Sequence, residues 1–190
     1  MKVWARYLIG IAAGVVIGTG SAAIAVRAGA LGNNERIGAW STGKDFGTVR
    51  ASNYTRAVVA LYGLLALPAN EARYYTASVD DAGQPLDGKC RYRVSGGRMP
   101  SKWWSLTLYD PAGYLVPNRA GIYSINSIAL PPAEQTAWQV SVAPLPQTGH
   151  WLPTGPGGRF ALTLRMYLPD DGGVGNLSSD QLPRIVRQSC

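Results

Sequence analysis

The chain opens on an unbroken apolar run and then changes rhythm twice. Residues 7–26, YLIGIAAGVVIGTGSAAIAV, carry no charge, and at ~1.5 Å rise per residue a helix of this length matches the ~30 Å hydrocarbon core of a bilayer. A single membrane-spanning helix is predicted. Lys2, Arg6 and the terminal amine precede it and only Arg27 follows closely, so the charge bias places the N-terminus in the cytoplasm and the rest of the chain across the membrane. The rival reading is a cleaved signal peptide, because Ala28-Gly29-Ala30 fits a cleavage site, although the apolar run exceeds the usual ~7–15 residues of such a core. Gly10, Gly14 and Gly18 recur every fourth residue with Ala22 next in phase. They give the helix a smooth face that a second transmembrane helix, from another copy or another subunit, can approach closely. Glycine is also frequent in membrane helices generally, so this face has a plain compositional reading as well.

Residues 28–50 lose apolar periodicity and are rich in Gly, Asn, Ser and charge, which suits a linker leaving the membrane. Behind Ser52, a good helix cap, Tyr54, Val58, Leu61 and Leu65 fall at spacings of three and four, predicting one amphipathic helix over 53–67 that Pro68 stops. Beyond it the period becomes two, the spacing of strands with one buried face. Tyr75, Ala77 and Val79 alternate with Tyr74, Thr76 and Ser78 before the turn-rich Asp80-Asp81-Ala82-Gly83, which suggests a hairpin. Cys90, Tyr92 and Val94 point one way and Lys89, Arg91 and Arg93 the other, with Arg98 and Lys102 nearby. That cationic stripe is either a docking surface for an anion or a solvated face that discourages edge pairing. Trp104, Leu106 and Leu108 alternate with Trp103, Ser105, Thr107 and Tyr109. In 160–168 Phe160, Leu162, Leu164, Met166 and Leu168 are predicted inward against outward Thr163, Arg165 and Tyr167, and Trp138, Val140 and Val142 form a shorter example. Short strands broken by Gly and Pro, with one helix, predict a mainly β fold: an antiparallel β-sandwich, jelly-roll-like, behind the membrane helix. The expected organisation is an anchor over 1–27, a linker over 28–50 and a β-sandwich domain over 51–190.

Composition narrows this picture in a few places. A length of 190 residues suits one domain plus an appendage, and 46% hydrophobic against 15% charged residues excludes a disordered chain. The net charge of +7 falls once Lys2, Arg6 and Arg27 are counted as topology determinants, since 15 of the 18 basic residues then face 11 acidic ones. No basic run or basic helix reaches the signature of a nucleic-acid partner. Cys90 and Cys190, the two cysteines, have no metal-ligand spacing, and neither a metal nor a cofactor is expected. In an exporting compartment they can form one disulfide; the alternative is a buried Cys90 and a free Cys190.

Catalysis has little to build on. His150 is the sole histidine, and no G-x-S-x-G elbow, H-E-x-x-H helix or Walker-type loop is present. Asp80, Asp81, Asp87 and Asp110 lie near predicted turns, where they either converge as acid, base or hard-cation ligands or simply bond local backbone amides. Tyr109, Tyr114, Tyr123, Tyr167 and the 6 tryptophans divide between core and a possible cleft. Arg165 faces outward and is placed to pair with Asp110 or to receive an anion. The candidate ligand-binding set is therefore Asp87, Asp110, Tyr123 and Arg165.

Ordered motifs give a family resemblance. They are Glu71-Ala72-Arg73-Tyr74-Tyr75, Gly83-Gln84-Pro85-Leu86-Asp87-Gly88, Trp104-Ser105-Leu106-Thr107-Leu108-Tyr109-Asp110, Gly113-Tyr114-Leu115-Val116-Pro117-Asn118, Tyr123-Ser124-Ile125, Trp151-Leu152-Pro153 and Phe160-Ala161-Leu162-Thr163-Leu164-Arg165-Met166-Tyr167. Over about residues 50–187 the chain resembles the bacterial family called domain of unknown function 1214. The resemblance implies a β-sandwich-like domain, which in larger relatives stands beside a second β-rich domain; here an anchor precedes it. His150 stands where the family more often has Asn, and residues 181–185 resemble a shortened family ending. The expected function is a noncatalytic binding or accessory module in the bacterial inner membrane, single-pass, with its domain in the periplasm and a transmembrane partner or second copy at its helix. The alternative is a hydrolase-like, small-ligand or carbohydrate-binding domain that uses an Asp/Tyr/Arg pocket.

Overall fold

The computed structural model describes residues 3–27, 34–43, 48, 51–61, 67–172 and 175–190. The apolar run is a helix, α1, Val3–Arg27. Its segment Val3–Ala25 has a mean hydropathy of 2.0 and none of it is buried against the other described residues. By length and composition it can cross a membrane once, a property that a signal sequence near an N-terminus shares. The second helix, α2, is Asn53–Leu61. Ser52 starts it as expected: its Oγ accepts from the Thr55 amide at 3.1 Å and its carbonyl from the Arg56 amide at 2.9 Å. Leu67 and Pro68 are outside the helix, and the predicted positions 62–66, with Leu65, lie outside the described residues.

The described strands, in chain order, are β1 Asn34–Ile37, β2 Trp40–Gly43, β3 Ala72–Ala77, β4 Arg91–Gly97, β5 Ser101–Tyr109, β6 Ser124–Asn126, β7 Ala137–Ala143, β8 Trp151–Pro153, β9 Ala161–Pro169 and β10 Arg184–Ser189. They form two sheets, one ordered β1-β2-β3-β9-β5-β6 and the other β10-β4-β7-β8. The fold is mainly β and sandwich-like, as the period-two segments predict. Its pairs are antiparallel except β7 with β8, which run parallel. The short loop between them suffices because Trp151 pairs with Ser141, so the chain climbs back over only the end of β7.

The alternation of apolar residues is what builds the core. On β9, Leu164 faces Tyr75 of β3 and Leu106 of β5 in register, and all three are fully buried; each such side chain contributes about 1.5–3 kcal/mol. Between the sheets Trp104 stacks on Trp138 with centroids 4.6 Å apart, and Tyr92 meets Phe160 edge-on at 5.8 Å.

Four expectations change on folding. Residues 34–43 are not all linker: β1 and β2 form a hairpin on the edge of β3, and Trp40 is buried there with its indole N–H donating to the Pro183 carbonyl at 2.7 Å. The turn at 80–83 closes only a local bridge between Val79 and Pro85, after which β3 and β4 enter different sheets. Leu168 faces outward at 56% exposure, because its positive φ of 49° breaks the alternation at the end of β9. The cationic stripe does not guard an edge, since β4 lies between β10 and β7; Arg93 instead donates to Gln188 at 3.0 Å. Cys90 and Cys190 are bridged, which closes the open alternative and ties the end of β10 to the start of β4.

Candidate ligand pocket

Three of the four acids that sequence places near turns serve those turns. Asp110 Oδ1 accepts from the amides of Ala112 and Tyr114, both at 2.9 Å. Asp87 Oδ1 accepts from the Lys89 amide at 3.0 Å. Asp80 Oδ1 accepts from Ala82 and Gln84, and its Oδ2 lies 3.0 Å from Arg187 Nε in an ion pair that lacks hydrogen-bond geometry. Asp81 accepts from Arg184 Nε at 2.6 Å. Arg165 turns to Tyr109 rather than Asp110: its Nη2 donates to the phenol oxygen at 2.7 Å and its guanidinium carbon lies 5.1 Å from the ring centroid. Tyr123 is partly exposed beside β5, where its carbonyl accepts from the Leu108 amide at 3.3 Å. No hydrogen bond or ion pair links any two of Asp87, Asp110, Tyr123 and Arg165. Asp87 instead lines a shallow cleft of about 370 Å³ with Lys89, Arg159 and Arg187 beside the disulfide. His150 Nε2 sits 2.8 Å from Glu134 Oε2. Among the described residues, no group of three or more His, Cys, Asp or Glu side chains is placed to hold a metal.

A different place gathers unsatisfied charge. Arg73 on β3 is in register with Met166, which points into the core, so the strand carries a guanidinium to the inner face, where it is 8% exposed. A cavity of about 570 Å³ opens there between the start of β3, the β1–β2 hairpin and residues 175–178. Arg73 Nη1 reaches only neutral oxygens, Tyr75 Oη and Asn176 Oδ1, both at a long 3.4 Å. Its Nε is buried without a hydrogen-bond partner. Among the described residues no carboxylate lies within ion-pair distance of it. Those neutral partners are fixed elsewhere: Tyr75 Oη accepts from the Leu177 amide at 3.0 Å, and Asn176 Nδ2 donates to Glu35 Oε2 at 2.8 Å. A chain of contacts thus runs from the hairpin through Asn176 and Arg73 to the core.

The rest of the lining sets the chemistry. Ile37, Ala69, Ala72 and Leu177 are apolar, while Glu35 brings one acid to the lining. Tyr74, also in the lining, has its phenol pKa raised above 10.0, mainly by burial and then by Tyr167, with Arg165 opposing. It is an uncharged phenol at neutral pH. A guanidinium carries five N–H donors and no acceptor, so the few long contacts of Arg73 leave donor capacity unused. The arrangement can hold an anion; among the described residues no nucleophile–base pair lines it. Sequence reading passed over Arg73, yet the signal existed, because counting back by two from Tyr75 lands a charge on the buried face.

Comparison with known proteins adds the family and the fold. A crystal structure of the VPA0106 protein from Vibrio parahaemolyticus superposes with a TM-score of 0.58 at 23% identity, over 73% of this chain and 36% of that one. A putative uncharacterized protein from Burkholderia cenocepacia gives a TM-score of 0.39 at 18% identity, over 63% and 29% respectively. This chain therefore spans about a third of the length of these solved relatives. No curated protein matches it. The family model described as protein of unknown function DUF1214 matches residues 71–171, from the strand that carries Arg73 through the end of β9, and the chain belongs to that family.

Proposed function

We propose that this protein is a noncatalytic binding or accessory module tethered to the bacterial inner membrane, with α1 as its anchor and the sandwich on the periplasmic side. The observation that carries the reading is α1, whose residues 7–26 carry no charge and whose segment Val3–Ala25 is not buried against the other described residues. Such a helix is stable in lipid and costly in water. The flanking charges favour a cytoplasmic N-terminus. The Cys90–Cys190 bridge supports an oxidising location for the sandwich, because disulfides persist in the periplasm and are rare in the cytosol. Against catalysis stand Asp80, Asp87 and Asp110 committed to turns, Asp81 paired with Arg184, and the single histidine held by Glu134.

Two measurements test this reading. Membranes washed with alkaline carbonate should retain the protein, and a membrane-impermeant protease should reach the sandwich only from the periplasmic side. Recovery of a soluble mature form that begins beyond Val26 overturns the anchor. Purification in mild detergent at native expression should bring a partner or a second copy, and recovery only as a monomer overturns the accessory role.

A further inference from the structure

We propose that the cavity at Arg73 is a binding site for a small monocarboxylate with an apolar body. This goes beyond the tethered-module reading and does not depend on the anchor. A guanidinium 8% exposed is taken almost wholly out of water, and such a charge is normally matched by an acid or by several short hydrogen bonds. Arg73 has neither: two contacts at 3.4 Å to neutral oxygens, and an Nε with none. The cavity beside it, about 570 Å³, lies within the ~300–1,000 Å³ typical of small-molecule sites. An incoming carboxylate gives the guanidinium the planar two-oxygen acceptor it fits best.

The lining selects among anions. Arg73 is the one cation that lines the cavity among the described residues, and Glu35, bonded to the same Asn176 as Arg73, lines it too. One positive charge balances one carboxylate; a phosphate dianion brings a second negative charge that no second cation meets among the described lining residues. Ile37, Ala72 and Leu177 offer the rest of the ligand an apolar surface. Tyr74, whose phenol pKa burial raises, is uncharged at neutral pH and adds no charge against the anion.

The test uses the full chain in detergent micelles and titrates acetate, butyrate and benzoate, with inorganic phosphate as the competing anion, at constant ionic strength. Saturable one-to-one binding by calorimetry is expected for at least one carboxylate, in roughly the millimolar range for so few ligand atoms, and tighter for benzoate or butyrate than for acetate. Arg73→Gln should weaken it at least ~10-fold. Because that variant removes a buried residue, Ala69→Glu supplies a second test: it sets an acid in the cavity from a half-buried loop position, and should abolish binding while circular dichroism stays unchanged. Absence of saturable binding by all three carboxylates, tighter binding of phosphate, or undiminished binding in folded Ala69→Glu each overturns the proposal. Loss of the membrane anchor in the earlier tests leaves these outcomes as they are.

Discussion

Gly96 shows how finely single positions are set in this fold. A Cβ there would stand 2.5 Å from Cζ2 of Trp138, which is itself 1% exposed and stacked on Trp104, so the ring cannot retreat. Gly96→Ala should therefore cost about 1–3 kcal/mol through overpacking, seen as a lower urea midpoint at unchanged slope. Tyr74 gives a residue-level effect of pH. Its pKa is raised in the folded state, so between 10.0 and that higher value the folded chain binds more protons than the unfolded one. The stability it contributes is complete below pH 10 and is lost as pH rises through the folded value. Comparing urea melts from pH 9 to 11, Tyr74→Phe should flatten the alkaline decline relative to the wild type. Neither effect could be read from the sequence, because the partner of Gly96 comes from β7 and the burial of Tyr74 from strands placed far along the chain.

At the scale of elements, β10 is an edge strand that pairs only with β4. The Cys90–Cys190 bridge closes a sequence separation of 100, a loop for which chain entropy gives about 4–5 kcal/mol of stabilisation. Cys190→Ser should lower unfolding stability by up to that amount. Hydrogen exchange should rise first at residues 184–189, since local opening begins where pairing is one-sided. The α1 helix offers the second element-level experiment. A Cβ at Gly10, Gly14 or Gly18 meets nothing within 4 Å, so substitution there leaves the chain's own packing alone. Gly14→Leu should reduce the complexed or oligomeric fraction in mild detergent, measured by size-exclusion chromatography, with the domain's thermal melt unchanged. An unchanged fraction would show that the glycine face has no helix against it.

At the scale of the whole molecule, two structural economies coexist. The sandwich buries its apolar stripes between two sheets, while the apolar span of α1 is not buried against the other described residues. The elements legible in the sequence were those with local signals: the charge-free span, the Ser52 cap, and strands whose alternation survives folding, such as Trp104-Leu106-Leu108 and Tyr92-Val94. The β1–β2 hairpin was not legible. Trp40 is its main apolar anchor, and the hairpin holds its place through pairing with β3 and a bond to Pro183 rather than through a pattern of its own. The same holds for the pocket, where Glu35, Arg73 and Asn176 come from three distant stretches of chain.

What the sequence by itself determined is therefore everything written in near-neighbour spacing: a bilayer-length helix, a period-two body, the turn acids, and the residues available for a disulfide. Which strands share a sheet, whether Cys90 meets Cys190, and where Arg73 finds a cavity instead of a counter-ion were decided only by tertiary structure. The physical reason is that spacing fixes which face of a strand a side chain occupies, whereas what it faces depends on long-range pairing that no local pattern encodes.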